Sequence, residues 1–159
     1  MEWVIILGFL GIFIIAVVLA LKKHNSLIES GEIAKRSTKF MEMAEIFTLN
    51  TPVNEEVSEK IKQFSCYSKG VGMKGSTVDQ HYTFSGYGWD AYLKRISAEN
   101  SKSVYRFQFT NWKTSNGMPQ DALNMNRLLT CIEKMFLSFD PDTQVQNEAV
   151  DFSTKRHLF

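Results

Sequence analysis

The chain has 159 residues, with 18 Lys and Arg against 17 Asp and Glu, for a formal charge of +1. That balance excludes the concentrated basic face of a nucleic-acid binder, so no nucleic-acid partner is expected. Beyond an apolar N-terminal run, 138 residues remain, enough for one domain with a real core.

Trp3 to Leu21 is a run of 19 residues without a charged or polar side chain, and 14 of them are Leu, Ile, Phe or Val. At ~1.5 Å rise per residue the run spans about 28 Å, close to the ~30 Å hydrocarbon core of a bilayer. Summed over a helix, the apolar side chains favour insertion by roughly 4–8 kcal/mol. A soluble core helix would carry a polar face, and this run has none. A cleavable signal peptide needs a basic stretch ahead of the apolar run, where the only charged side chain is Glu2. Val18-x-Ala20 directly before lysines is also a poor cleavage site. The reading is a single membrane-spanning helix with the lipid bilayer as partner. Trp3, Lys22 and Lys23 are its expected membrane-interface residues. Lys22, Lys23, Lys35, Arg36 and Lys39 all follow the run, which places the C-terminal domain in the cytoplasm by the positive-inside rule. Gly8 and Gly11 are three apart, so no Gly-x-x-x-Gly pairing motif forms, and the oligomeric state stays open.

Residues 25–50 read as an amphipathic juxtamembrane helix or stalk, because Ile33, Ser37, Phe40, Ala44 and Phe47 recur at helical spacing. Gly31 is a candidate interruption near its start. Thr51-Pro52 is a helix-start signal, and Val53, Val57, Ile61 and Phe64 continue it. Between Cys66 and Trp112 the period changes to two. Val78 to Phe84, Trp89 to Ile96 and Val104 to Trp112 read as strands separated by turns at Ser85–Gly88 and Glu99–Ser101. Such close spacing leaves no room for crossover helices, so the sheet is expected to be an antiparallel meander. Ser115-Asn116-Gly117 breaks the last of these strands. Pro119 is expected to open a long helix whose apolar stripe runs from Met125 through Ile132 to Phe139, ended by Asp140-Pro141-Asp142. Val150 and Phe152 suggest a last edge strand. The fold class is α+β: a single N-terminal transmembrane helix, then one small domain with an antiparallel meander of about four strands packed by two amphipathic helices. Its parts are an anchor and basic flank at 1–24, the stalk at 25–50, and a soluble domain at 51–159.

The chemistry-bearing residues form no catalytic pattern. Gly70-Val71-Gly72-Met73-Lys74-Gly75 matches G-x-G-x-x-G, but a dinucleotide fingerprint must open a helix, and here a strand follows; a flexible β-turn region is expected instead. His24, His81 and His157 have no Cys, His or carboxylate at ligand spacing, so neither a metal nor a cofactor is expected. Cys66 and Cys131 are too far apart for a short metal motif; Cys131 reads as a semi-buried thiol, and a disulfide would contradict a cytoplasmic domain. No G-x-S-x-G nucleophile signature occurs, and no catalytic residue is assigned. Nine aromatics lie between Tyr82 and Trp112. They suit a sheet core. Tyr92, Tyr105, Phe107 and Trp112 are the candidates for ligand or partner contact. The expected function is a non-catalytic interaction or scaffold module at the membrane, with a possible protein partner. The alternative is a small-molecule or lipid-binding domain with an aromatic pocket between sheet and C-terminal helix, lined by Tyr105, Phe107 and Met125. A membrane-tethered enzyme comes third.

Overall fold

The computed structural model describes residues 2–53, 57–68, 70–76, 78–99 and 102–150. Helix α1, Glu2–Glu29, opens the chain. It is long and apolar enough to cross a membrane, and none of its apolar window is buried. Ile12, Phe13, Leu19 and Leu21 all stand exposed along it.

The helix stops because of Gly31. This residue has φ +70°, where a side chain is strained and glycine is not. The Gly31 N–H donates to the Ile28 carbonyl and the Glu32 N–H to the Leu27 carbonyl, both at 2.9 Å, which is the Schellman pattern of helix termination. The expected stalk helix over 25–50 therefore does not continue. Its first five residues belong to α1. An irregular segment follows, then a 3-10 turn at Phe40–Glu42, then strand β1 at Met43–Leu49.

Helix α2, Val57–Lys62, is shorter than expected and buries Val57 and Ile61; residues 54–56 of the expected helix lie outside the described residues. Strands β3 (His81–Gly86), β4 (Trp89–Glu99) and β5 (Lys102–Trp112) form the expected antiparallel meander, though β3 starts at His81 rather than Val78, and β2 (Gly72–Ser76) precedes them in place of the expected turn region. Pro119 does not open the long helix. It sits in a two-residue ladder, β6 (Thr114–Ser115) with β7 (Met118–Pro119), closed by Asn116-Gly117. Both turn residues have positive φ, 51° and 78°, as in the tight turn that Asn-Gly favours. Helix α3 then runs Ala122–Phe139, and strand β8 runs Gln144–Ala149. The expected edge strand thus exists but ends before Val150, and Phe152 lies outside the described residues.

The main sheet has six strands, not about four, in the order β2-β3-β4-β5-β1-β8, and every neighbouring pair is antiparallel. One row crosses all six: Gly75, Tyr82, Leu93, Phe107, Glu45 and Asn147 stand opposite one another in turn. Its middle is apolar and buried, it turns polar at β1 with the still buried Glu45, and it reaches the surface at Asn147 of β8. The helices fill the face above it. Phe136 of α3 stacks on Phe47 at 4.7 Å and on Tyr105 at 4.9 Å between ring centroids. Phe107 and Phe109 meet edge to face at 5.0 Å, and Trp89 meets Phe109 at 5.8 Å. Met125, Leu128, Ile132 and Met135 complete the core from α3. Four residues of the G-x-G-x-x-G stretch, Gly72 to Gly75, belong to strand β2, and only its first part stays in a turn. A Cβ on Gly75 would lie 2.2 Å from Tyr82 Cδ1, so that glycine makes room for a core aromatic.

Candidate functional site

The segment after the Schellman turn, residues 30–39, is a strap laid along α3. Lys134 Nζ donates to the Gly31 carbonyl at 2.5 Å. Arg127 pairs with Glu32 at 2.8 Å. The Ala34 N–H donates to Thr130 Oγ1 at 2.9 Å, and Asn126 Nδ2 donates to the Ala34 carbonyl at 3.0 Å. Ile33 is 2% exposed. The α3 partners Asn126, Thr130, Glu133 and Lys134 follow i, i+4, i+7, i+8, so they share one face of the helix. That polar stripe, beside the apolar one, is the signal in the sequence that would have revealed the strap.

Arg36 closes the strap onto two elements at once. Its Nε donates to Asn126 Oδ1 at 3.0 Å, its Nη1 to Glu45 Oε1 at 2.8 Å, and its Nη2 to Glu133 Oε2. The Arg36 and Glu45 side chains are 11% and 6% exposed. A planar guanidinium with several N–H groups in a fixed fork suits such a junction. Two carboxylates share this one cation. Burial, the largest influence, raises the Glu45 acid, Arg36 pulls it down, and Glu133 raises it again through its charge and its hydrogen bond with the protonated Glu45, leaving the acid at about 7. Glu45 Oε2 is buried and accepts no hydrogen bond among the described residues. An unmet buried acceptor costs about 1–3 kcal/mol, and more when charged.

Glu45 also lines an open cleft of about 450 Å³. Lys35, Arg36, Ser37 and Lys39 of the strap line it with Phe40 and Met43, and Asn147 of β8 faces Glu45 directly across the ladder. The cleft thus combines a carboxylate with an open acceptor, two exposed lysines and a small apolar surface.

The aromatic candidates from the sequence are not brought together. Tyr105 and Phe107 are 0% and 1% exposed. They pack in the core beside Phe136 and Phe109, where Tyr105 donates to Gln80 Oε1 at 3.2 Å and burial pushes its phenol up to about 12. Met125 is equally buried. The space between sheet and α3 is thus filled by side chains. Tyr92 lies on the opposite, solvent face, half-buried, donating to Gln108 Oε1 at 3.0 Å. It borders a shallow groove of about 550 Å³ with Lys74, His81, Thr83 and Asp90. Trp112 is half-buried, pairs with Trp89 across the ladder and packs against the core. Lys22 and Lys23 are exposed on α1, which also contains Trp3; the Trp3 side chain lies outside the described ones.

Cys66 and Cys131 are both buried and free, so Cys131 is more deeply placed than expected. They are nonetheless partners. The Cys131 S–H donates to the Ile61 carbonyl at 3.4 Å. The neighbouring Cys131 thiol is still the largest influence on Cys66, lowering its thiol to about 7 against the upward push of burial, while Cys131 itself is pushed up. His24 and His81 are exposed, and His157 lies outside the described residues. No group of three His, Cys, Asp or Glu side chains able to hold a metal occurs among the described residues. No family model, curated protein or solved structure matches the chain.

Proposed function

We propose that the chain is a single-pass membrane protein whose folded domain is a non-catalytic interaction module, with the cleft between strap and β1 as its contact site. The observation that carries this reading is that the segment leaving the apolar helix is itself a wall of the cleft, pinned to α3 and β1 through Arg36. Site and anchor are separated by only a few residues of clamped chain, so a ligand or partner engaged there is engaged beside the bilayer. A signal sequence would satisfy the same length and apolarity. Retention of the helix is favoured by the poor cleavage site at Val18-x-Ala20 and by Lys22 and Lys23 directly after the run. The same lysines, with Lys35, Arg36 and Lys39, favour a cytoplasmic domain.

Three measurements test the reading. Intact mass of the chain recovered from membranes retains residues 1–21; loss of them overturns the anchor. Protease digests the domain in inverted vesicles and spares it in intact cells; the reverse pattern overturns the orientation. A photo-crosslinking residue at Lys39 on the cleft lip gives a discrete adduct in membranes, and one at exposed Thr83 on the far sheet face does not. Equal labelling from both positions overturns the contact site.

A further inference from the structure

We propose that the cleft binds a small zwitterion, a primary ammonium joined through a short linker to a phosphate, with the ammonium on Glu45 and the anion on Lys35 and Lys39. The inference rests on the cleft being the contact site. It starts from the half-satisfied carboxylate. Glu45 is 4% exposed. Its Oε1 is taken by Arg36, and its Oε2 is buried without a donor. Such an oxygen selects a ligand that brings an N–H or O–H.

Charge narrows the choice to an ammonium. Glu45 and Glu133 divide a single guanidinium between them, so with both carboxyls ionised this end of the cleft lacks one positive charge, which the raised Glu45 acid otherwise meets by holding a proton. An ammonium supplies both the charge and the hydrogen-bond donors, and charge-assisted hydrogen bonds are the stronger kind. The mouth has the opposite need. Lys35 and Lys39 are exposed on the lip, and neither forms an ion pair among the described residues. Between the two ends, Phe40 and Met43 offer apolar surface for a short alkyl linker, and the Asn147 amide stands opposite Glu45. A volume of about 450 Å³ accommodates a group of this size.

The same chemistry has two sources, an aminophospholipid headgroup and a free amino-phosphate. Titration calorimetry on the full chain in detergent micelles, with O-phosphoethanolamine and with phosphocholine, tests the recognition. Phosphocholine carries the same anion, but its quaternary nitrogen has no N–H. The expected result is a preference for phosphoethanolamine of roughly tenfold or more, the worth of one hydrogen bond to a charged group. Glu45→Gln keeps an oxygen for Arg36 and removes the charge; it abolishes the preference. Lys39→Glu, a change on the exposed lip that leaves the core untouched, weakens both ligands. The source is read from nanodiscs. If the headgroup is the ligand, adding phosphatidylethanolamine to phosphatidylcholine discs raises the thermal midpoint of the wild type but not of Glu45→Gln. If the free molecule is the ligand, disc composition has no effect while the soluble probe still binds. Equal affinity for the two probes, or a preference that survives Glu45→Gln, overturns the proposal. Absence of all binding also overturns the ligand class; a position-specific adduct from Lys39 would then leave the contact site standing.

Discussion

Arg36 Nη1 reaches Glu45 Oε1 at 2.8 Å across the boundary between strap and sheet, both side chains almost fully buried. The same guanidinium holds Asn126 and Glu133 of α3. Three parts of the chain, two of them separated by 97 positions, therefore meet on one cation. Removing one member of a buried ion pair leaves the other charged and unpaired, which costs about 3–5 kcal/mol. Arg36→Ala is expected to destabilise the domain by that amount in denaturant unfolding of the full chain in micelles. Glu32→Ala breaks the more exposed Arg127 pair and is expected to cost about 1 kcal/mol or less. Similar losses for the two variants would show that Arg36 is no keystone.

Stability is expected to depend on pH through Glu45. The groups facing it are Arg36, Lys35 and Lys39 from the strap, Glu133 from α3 and the uncharged Asn147 from β8. Its acid rises from an ordinary 4.5 to about 7 on folding. Between those values the folded chain holds a proton that the unfolded chain has released. Stability from this group is therefore complete below pH 4.5 and is lost as pH rises through 7. The loss is at most about 3 kcal/mol. Unfolding free energies measured across that window fall for the wild type and flatten for Glu45→Gln; an unchanged slope in the variant assigns the titration elsewhere.

The meander and α3 were legible because each keeps one face: Tyr105, Phe107 and Phe109 alternate with polar residues, and Leu128, Ile132 and Met135 keep helical spacing. Strand β1 was not, because adjacent Ala44 and Glu45 are both buried. From Glu45 to Leu49 the buried positions do alternate, but the first of them is a charged residue and the other face carries Ile46, so the sequence itself does not alternate, and Ala44 and Phe47 also satisfy a helical spacing. Strand β8 is exposed at all six positions; what places it is its backbone ladder to β1, which leaves no mark on side-chain pattern. The strap was hidden for a related reason. Its partners on α3 are some 90 or more positions away along the chain, and a lone Arg or Glu reads as a solvated charge until the fold brings the others beside it.

The glycine-rich stretch gives a sharp packing prediction. Tyr82 lies across Gly75 on the neighbouring strand, and the ring leaves no space for a methyl group. Gly75→Ala is expected to push Tyr82 off its rotamer and to destabilise the domain by about 1–3 kcal/mol, the usual range for overpacking. A Gly75→Ala chain as stable as the wild type would mean that Tyr82 is free to move and that the glycine serves some other purpose.

The paired thiols carry the last prediction. The neighbouring Cys131 thiol is the largest influence on Cys66 and holds its thiol down to about 7, while burial opposes it. Cys131→Ala deletes that neighbour and keeps the burial. The Cys66 thiolate, followed by its ultraviolet absorbance, is expected to appear near pH 7 in the wild type and at higher pH in the variant. Cys66→Ala gives the reciprocal control, since Cys131 owes most of its upward shift to Cys66; its titration moves down. A wild-type chain with no thiolate forming near neutrality would show that the two sulfurs do not share a proton in the folded state, and that each is simply a small apolar group in the core beneath α3.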